Sequence, residues 1–68
     1  MKNQEILREL LRERVRRALA VHKRKMIEEC LKLKLSEKTL YDFISYQRGY
    51  VRNSTAQKLY FATKSILG

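Results

Sequence analysis

The chain has no proline and no tryptophan, two glycines, one histidine and one cysteine. Each shortage narrows what the protein can do. The lone Cys30 cannot form an internal disulfide or a metal site by itself. A metal-binding or catalytic role for His22 would need partners that the chain does not supply. There is no glycine-rich phosphate loop and no pair of acids set in a cleft, so an enzyme is not expected. No catalytic residue, metal ligand or cofactor is therefore assigned. No stretch approaches the roughly 20 apolar residues of a spanning helix, and a mean hydropathy of -0.53 agrees. No signal peptide opens the chain, since Met1-Lys2-Asn3-Gln4-Glu5 leads into an amphipathic pattern with acidic residues. The expectation is a cytoplasmic protein that does not enter membranes. With 68 residues, the chain makes one domain at most and hides only about 60% of its extended surface. That leaves little room for a deep cavity, and no small-molecule ligand is expected.

Charge is what the chain has in excess. Sixteen Lys and Arg stand against seven Asp and Glu, giving +9 and a pI near 10.1. Residues 1–34 hold eleven basic and five acidic groups, or +6, while residues 35–68 hold five and two, or +3. Such a balance attracts polyanions, with nucleic acid the first candidate and an anionic membrane surface the second. The densest cluster is Lys23-Arg24-Lys25, with Arg16-Arg17 one to two turns before it.

Apolar residues Ile6, Leu7, Leu10, Leu11, Val15, Ala18, Leu19 and Val21 recur at three and four, which predicts an amphipathic helix over 3–21. Its arginines read first as a solvated face, and on a sharper reading Arg12, Arg16 and Arg17 also touch phosphates. No Gly, Pro, Asn or Ser lies between Ala20 and Leu35, so one helix from 3 to 33 is possible on local grounds. The stripe drifts, however. Met26, Ile27, Cys30, Leu31 and Leu33 start a new face after the polar His22-Lys23-Arg24-Lys25, which places a turn at 22–24 and a second helix over 24–33. Lys34-Leu35 reads as a tight turn, with Leu33 and Leu35 inward and Lys32 and Lys34 wet. Ser36 is a candidate N-cap for a helix over 36–47, whose Leu40, Phe43 and Ile44 form a buried stripe. Gly49 is suited to closing that helix. Ser54 with Gln57 reads as a capping box for a last helix over 54–67, with Leu59, Ala62, Ile66 and Ala56 facing the core. The expected fold is all-α, a small single domain over 1–68 with four helices, at most five.

Residues 26–60 resemble the helix-turn-helix of the phage-repressor and Cro-like family of DNA-binding domains. Cys30 stands where that motif prefers a small residue. Leu33 and Leu35 match the apolar positions flanking its turn. Ser36, Thr39 and Leu40 match the Ser-x-x-Thr-apolar start of its recognition helix, and Phe43 or Ile44 its buried far end. Val51, Thr55-Ala56 and Lys58-Leu59 match the segment leading into a further helix. Lys34 differs from the usual Gly of the turn, and Glu29 from a usual apolar residue.

The resemblance implies sequence-specific binding of double-stranded DNA, with helix 36–47 in the major groove, as in a small phage- or plasmid-type transcriptional regulator. Candidates for base reading are Lys38, Thr39, Tyr41, Asp42 and Ser45, with Glu37 at the edge. Lys38 can donate to guanine, Asp42 or Glu37 can accept from cytosine N4, and Thr39 can touch a thymine methyl. Phosphate contacts fall to Lys23, Arg24, Lys25, Arg48, Arg52 and Asn53. A domain this small covers few base pairs, so a homodimer is expected, meeting through Tyr60, Phe61, Ile66 and Leu67. The alternatives are an RNA-binding or non-specific nucleic-acid-binding protein, or a small interaction module docking on a host protein.

Overall fold

The computed structural model describes residues 2–45 and 52–68, with side chains from residue 7 onward. Among these residues the chain is all helical: α1 spans Lys2–Lys32, α2 Glu37–Ser45 and α3 Asn53–Leu67. The helix count is three where the sequence predicts four. The difference lies at residue 22. His22 has extended backbone (φ -154°, ψ 81°), yet helical bonding resumes on both sides, so the two predicted segments form one interrupted helix. A straight helix of 31 residues would be about 46 Å long. The molecule's longest dimension is 32 Å, so the interruption folds α1 back upon the rest. No glycine or proline causes it. The two apolar stripes of α1 do not continue each other, and a break between them lets both reach the same core.

That core consists of Val15, Ala18, Met26, Cys30, Leu35, Leu40, Phe43, Leu59 and Ala62. Leu11, Leu19, Ile27, Leu33, Ile44, Ile66 and Leu67 pack around it, half-buried. Both halves of α1 contribute, and α2 and α3 pack against it. Leu7, Leu10, Val21 and Leu31, which the periodicity places in the apolar stripes, are exposed. One side chain takes the opposite course: Arg12 is only 3% exposed.

The turn between α1 and α2 is fixed by backbone bonds. Leu35 N–H donates to the Cys30 carbonyl at 2.8 Å and Lys34 N–H to the Leu31 carbonyl at 3.0 Å. This pair is the Schellman arrangement, which requires a left-handed residue just past the helix end. Lys34 supplies it, with φ of 63°. A side chain with a Cβ is disfavoured there by roughly 1–2 kcal/mol. Lys34→Gly is therefore expected to stabilise the chain by about 0.5–1 kcal/mol net of glycine's greater freedom when unfolded. Thermal melting should rise by about 2–8 °C, and an unchanged or lower midpoint would contradict the account of the turn. The side chains around the turn follow the pattern: Leu35 is buried and Leu33 half-buried, while Lys32 and Lys34 are exposed.

One helix boundary differs from expectation. α3 begins at Asn53, with Arg52 as N-cap making no side-chain capping bond, so the box from Ser54 to Gln57 is not formed. Ser54 lies inside the first turn, where its hydroxyl is past the capping position. Helix α2 ends at Ser45 among the described residues. Tyr46, Gln47 and the predicted cap Gly49 lie outside them.

Cys30 lies in the middle of the core. Burial pushes its thiol up from 9.0 to about 11, and the charge of Glu29 adds to the effect. A raised thiol pKa favours the neutral form in the folded chain. The stability it contributes is complete below about pH 9 and is lost as pH rises toward 11. Cys30→Ala should therefore show a shallower fall of melting temperature across that window than the parent chain. Parallel pH profiles would contradict this role for burial.

Candidate nucleic-acid interface

α2 is built to show one face. Ser36 Oγ accepts from the Thr39 backbone N–H at 3.1 Å, a side-chain N-cap as the sequence predicts. The Thr39 hydroxyl lies 2.8 Å from the same oxygen, so this side chain is held back in the cap. Leu40 and Phe43 are buried and Ile44 is half-buried behind the helix. At 3.6 residues per turn, Lys38, Asp42 and Ser45 then fall on the opposite side, and all three are exposed. Tyr41 is half-buried beside them, and Glu37 is exposed at the edge. Of the base-reading candidates, Lys38, Asp42 and Ser45 stand together on the outer face. Thr39 is turned to the cap.

The far end of α2 is tied by arginines from α1. Arg12 Nε donates to the Phe43 carbonyl at 2.7 Å, and Arg16 Nη2 to the Ile44 carbonyl at 2.6 Å. These carbonyls belong to the last described turn of α2, toward the negative end of its dipole. Arg12 also lies over the Phe43 ring, 5.0 Å from its centroid, and pairs with Glu9. Arg12 and Arg16, candidates for phosphate contact on the sharper reading, are instead directed at backbone oxygens within the molecule. The clue in the sequence was spacing. Arg12 is three residues before Val15 and seven before Leu19, so it shares their buried face.

Other cations remain free. Lys23, Arg24 and Lys25 are exposed on the first turn after the break at His22, with no hydrogen-bonding or ion-pair partner among the described residues. Arg52 is exposed at the start of α3, beside Asn53, whose Oδ1 accepts from Arg8 Nη2 at 3.0 Å. The Asn53 side chain is thus engaged inside the molecule. Arg48 lies outside the described residues. Around α2 the charge is divided: its own sequence holds Lys38 against Glu37 and Asp42, one acid in excess. Attraction for a polyanion has to come from the neighbouring cations.

Of the proposed dimer contacts, Ile66 and Leu67 are half-buried against the core, whereas Tyr60 and Phe61 are exposed. Thr63, which the periodicity does not single out, is buried. It donates to the Tyr60 carbonyl at 2.6 Å and accepts from Arg14 Nε at 2.8 Å.

The described residues contain no group of three or more His, Cys, Asp or Glu able to hold a metal ion. None of their helices is long and apolar enough to cross a membrane. No family model, curated protein or solved structure matches the chain.

Proposed function

We propose that the chain binds double-stranded DNA in a sequence-specific manner, with α2 entering the major groove, as a small regulator of transcription would. The observation that carries this reading is the pose of α2. Leu40 and Phe43 anchor it from behind, Arg12 and Arg16 tie its last turn, and Lys38, Asp42 and Ser45 face outward. The major groove, about 12 Å wide, admits one helix whose outer side chains reach base edges. In this reading Lys38 donates to guanine and Asp42 accepts from cytosine N4. Lys23, Arg24, Lys25 and Arg52 lie along the phosphates, with Arg48 in the same role. The left-handed turn at Lys34 supports the resemblance to the helix-turn-helix, because that position is the one where the motif usually has glycine. Two-fold assembly belongs to the same reading, and Phe61, at 64% exposure, is the strongest of its contact candidates.

Lys38→Ala should leave melting nearly unchanged, since the side chain is exposed. It should relax discrimination between specific and random duplex by about 1–3 kcal/mol. Arg24→Ala or Arg52→Ala should weaken binding to every duplex alike, lowering the salt slope by about one and leaving discrimination intact. Selected duplexes, obtained by enriching random oligonucleotides on the protein, and a salt titration would supply both measurements. If Lys38→Ala keeps full discrimination, α2 is not the reading helix. If affinity is nearly flat with salt, the +9 charge does not serve nucleic acid.

A further inference from the structure

α1 turns two different sides to its neighbours. Arg12 and Arg16 reach α2, whereas Arg8 reaches Asn53 and Arg14 reaches Thr63 on α3. The pairs Arg8–Asn53 and Arg14–Thr63 place the first half of α1 beside α3, with both helices running in the same direction. Between them lies a groove of about 300 Å³, whose walls include Leu7, Leu11, Ala56 and Gln57. Leu7 and Leu10, three residues apart on one face of α1, are 63% and 58% exposed. Tyr60, one turn beyond Ala56 and Gln57 on α3, is exposed as well.

Two cations converge on that tyrosine. The Arg14 guanidinium lies 5.1 Å and the Lys64 ammonium 5.5 Å from the ring centroid. The ring attracts each of them, but the two repel each other. Arg14 also donates to the Thr63 hydroxyl at 2.8 Å and to the Gly68 oxygen at 3.3 Å, and neither Arg14 nor Lys64 pairs with an Asp or Glu among the described residues. Beyond the apolar groove, at Tyr60 one turn along α3, stand two cations with no Asp or Glu partner among the described residues, of which Lys64 is exposed and Arg14 half-buried.

We propose that this groove docks an amphipathic, acidic helix of a partner protein. Its apolar side chains, at i, i+3, i+4 and i+7, would cover Leu7, Leu10 and Ala56, and its carboxylates would meet Arg14 and Lys64. Charge selects the occupant. A second copy of this chain would bring the same cations against themselves, on a molecule already at +9. A nucleic acid satisfies the cations and leaves the leucines wet. An acidic amphipathic helix does both. The groove shares no residue with α2 or with Lys23–Lys25, although Tyr60 near it is also a candidate for the two-fold contact, so an occupant here would compete with that contact and not with α2.

The test is a titration of the isotope-labelled full chain, followed by NMR, with a synthetic peptide bearing leucines at i, i+3, i+4 and i+7 and glutamates beside them. A version with lysine for every glutamate and a scrambled version are the comparisons. Saturable shifts confined to residues 7–14 and 53–64, seen with the acidic peptide only, are expected. Lys64→Gln and Leu10→Ser change exposed side chains and should leave the chain folded, with melting close to the parent's. Each should weaken the acidic peptide by about 5-fold or more, because charge and apolar contact are both needed. Absence of saturable shifts overturns the proposal. So does equal binding of the lysine or scrambled peptide. Shifts at the groove that grow with protein concentration alone would assign it to a second copy, and shifts there with anionic phospholipid vesicles but not with the peptide would assign it to a membrane surface. Added duplex DNA reports separately on α2 and Lys23–Lys25, so failure at the groove and failure at α2 remain distinguishable.

Discussion

Phe43→Ala is expected to lower the stability of the folded chain by about 3–5 kcal/mol. Phe43 is among the largest fully buried side chains, and with Leu40 it seats α2 in the core. Truncation removes the transfer energy of the ring and leaves a cavity that only partly collapses. It also takes away the surface beneath the Arg12 guanidinium. A chain of this length has about 3–10 kcal/mol in total, so the variant should be largely unfolded or melt roughly 12–40 °C lower. Circular dichroism through a thermal ramp is sufficient to see it. Leu31→Ala is the matched control, because Leu31 is 56% exposed and its loss should cost within about 0.5 kcal/mol. If both variants melt alike, Phe43 is not in the core, and the orientation of α2 derived from it is wrong.

Arg12→Ala should cost about 2–3 kcal/mol, an unusual amount for an arginine in a protein with so many. The reason is geometric. A charged donor bonded to a backbone carbonyl contributes about 1.5–3 kcal/mol, and here the donor is buried, with Arg12 only 3% exposed. Glu9, the other partner, is largely solvated and loses little when the pair is broken. Arg12→Lys should recover only part of the loss. An ammonium keeps the charge but cannot hold Glu9, the Phe43 carbonyl and the ring face together as a planar fork does. Arg17→Ala serves as the comparison, since Arg17 is exposed and has no partner among the described residues. Equal urea midpoints for Arg12→Ala and Arg17→Ala would remove the claim that α1 clamps the end of α2.

Local physics made several features legible before any tertiary contact was known. The N-cap at Ser36 depends on a hydroxyl three residues from an N–H, and the buried stripe Leu40, Phe43 on the helical period alone. The turn at Lys34-Leu35 and the change of face near His22 also follow from the order of apolar and polar residues. The second of these marked where α1 would break, although not that helical bonding would resume so quickly as to leave three helices. The start of α3 is not legible in the same way, because Ser54 and Gln57 have the composition of a capping box while the chain enters the helix one residue earlier, at Asn53.

By itself, then, the sequence determined an all-helical chain with a capped, two-faced central helix and a large positive charge, because helical period, capping and net charge are properties of neighbouring residues. Only the tertiary structure decided which arginines are ligands for the protein's own backbone and which remain free. Arg12, Arg14 and Arg16 are alike in sequence, all set in one basic amphipathic helix. Their partners Phe43, Thr63 and Ile44 lie 28 to 49 residues away, and whether a guanidinium is buried, shared or solvated depends on which helix packs over it. The same holds for Leu7 and Leu10, which the period assigns to the core. α1 carries more apolar surface than α2 and α3 can cover, and the packing of those two helices determined which part stayed exposed.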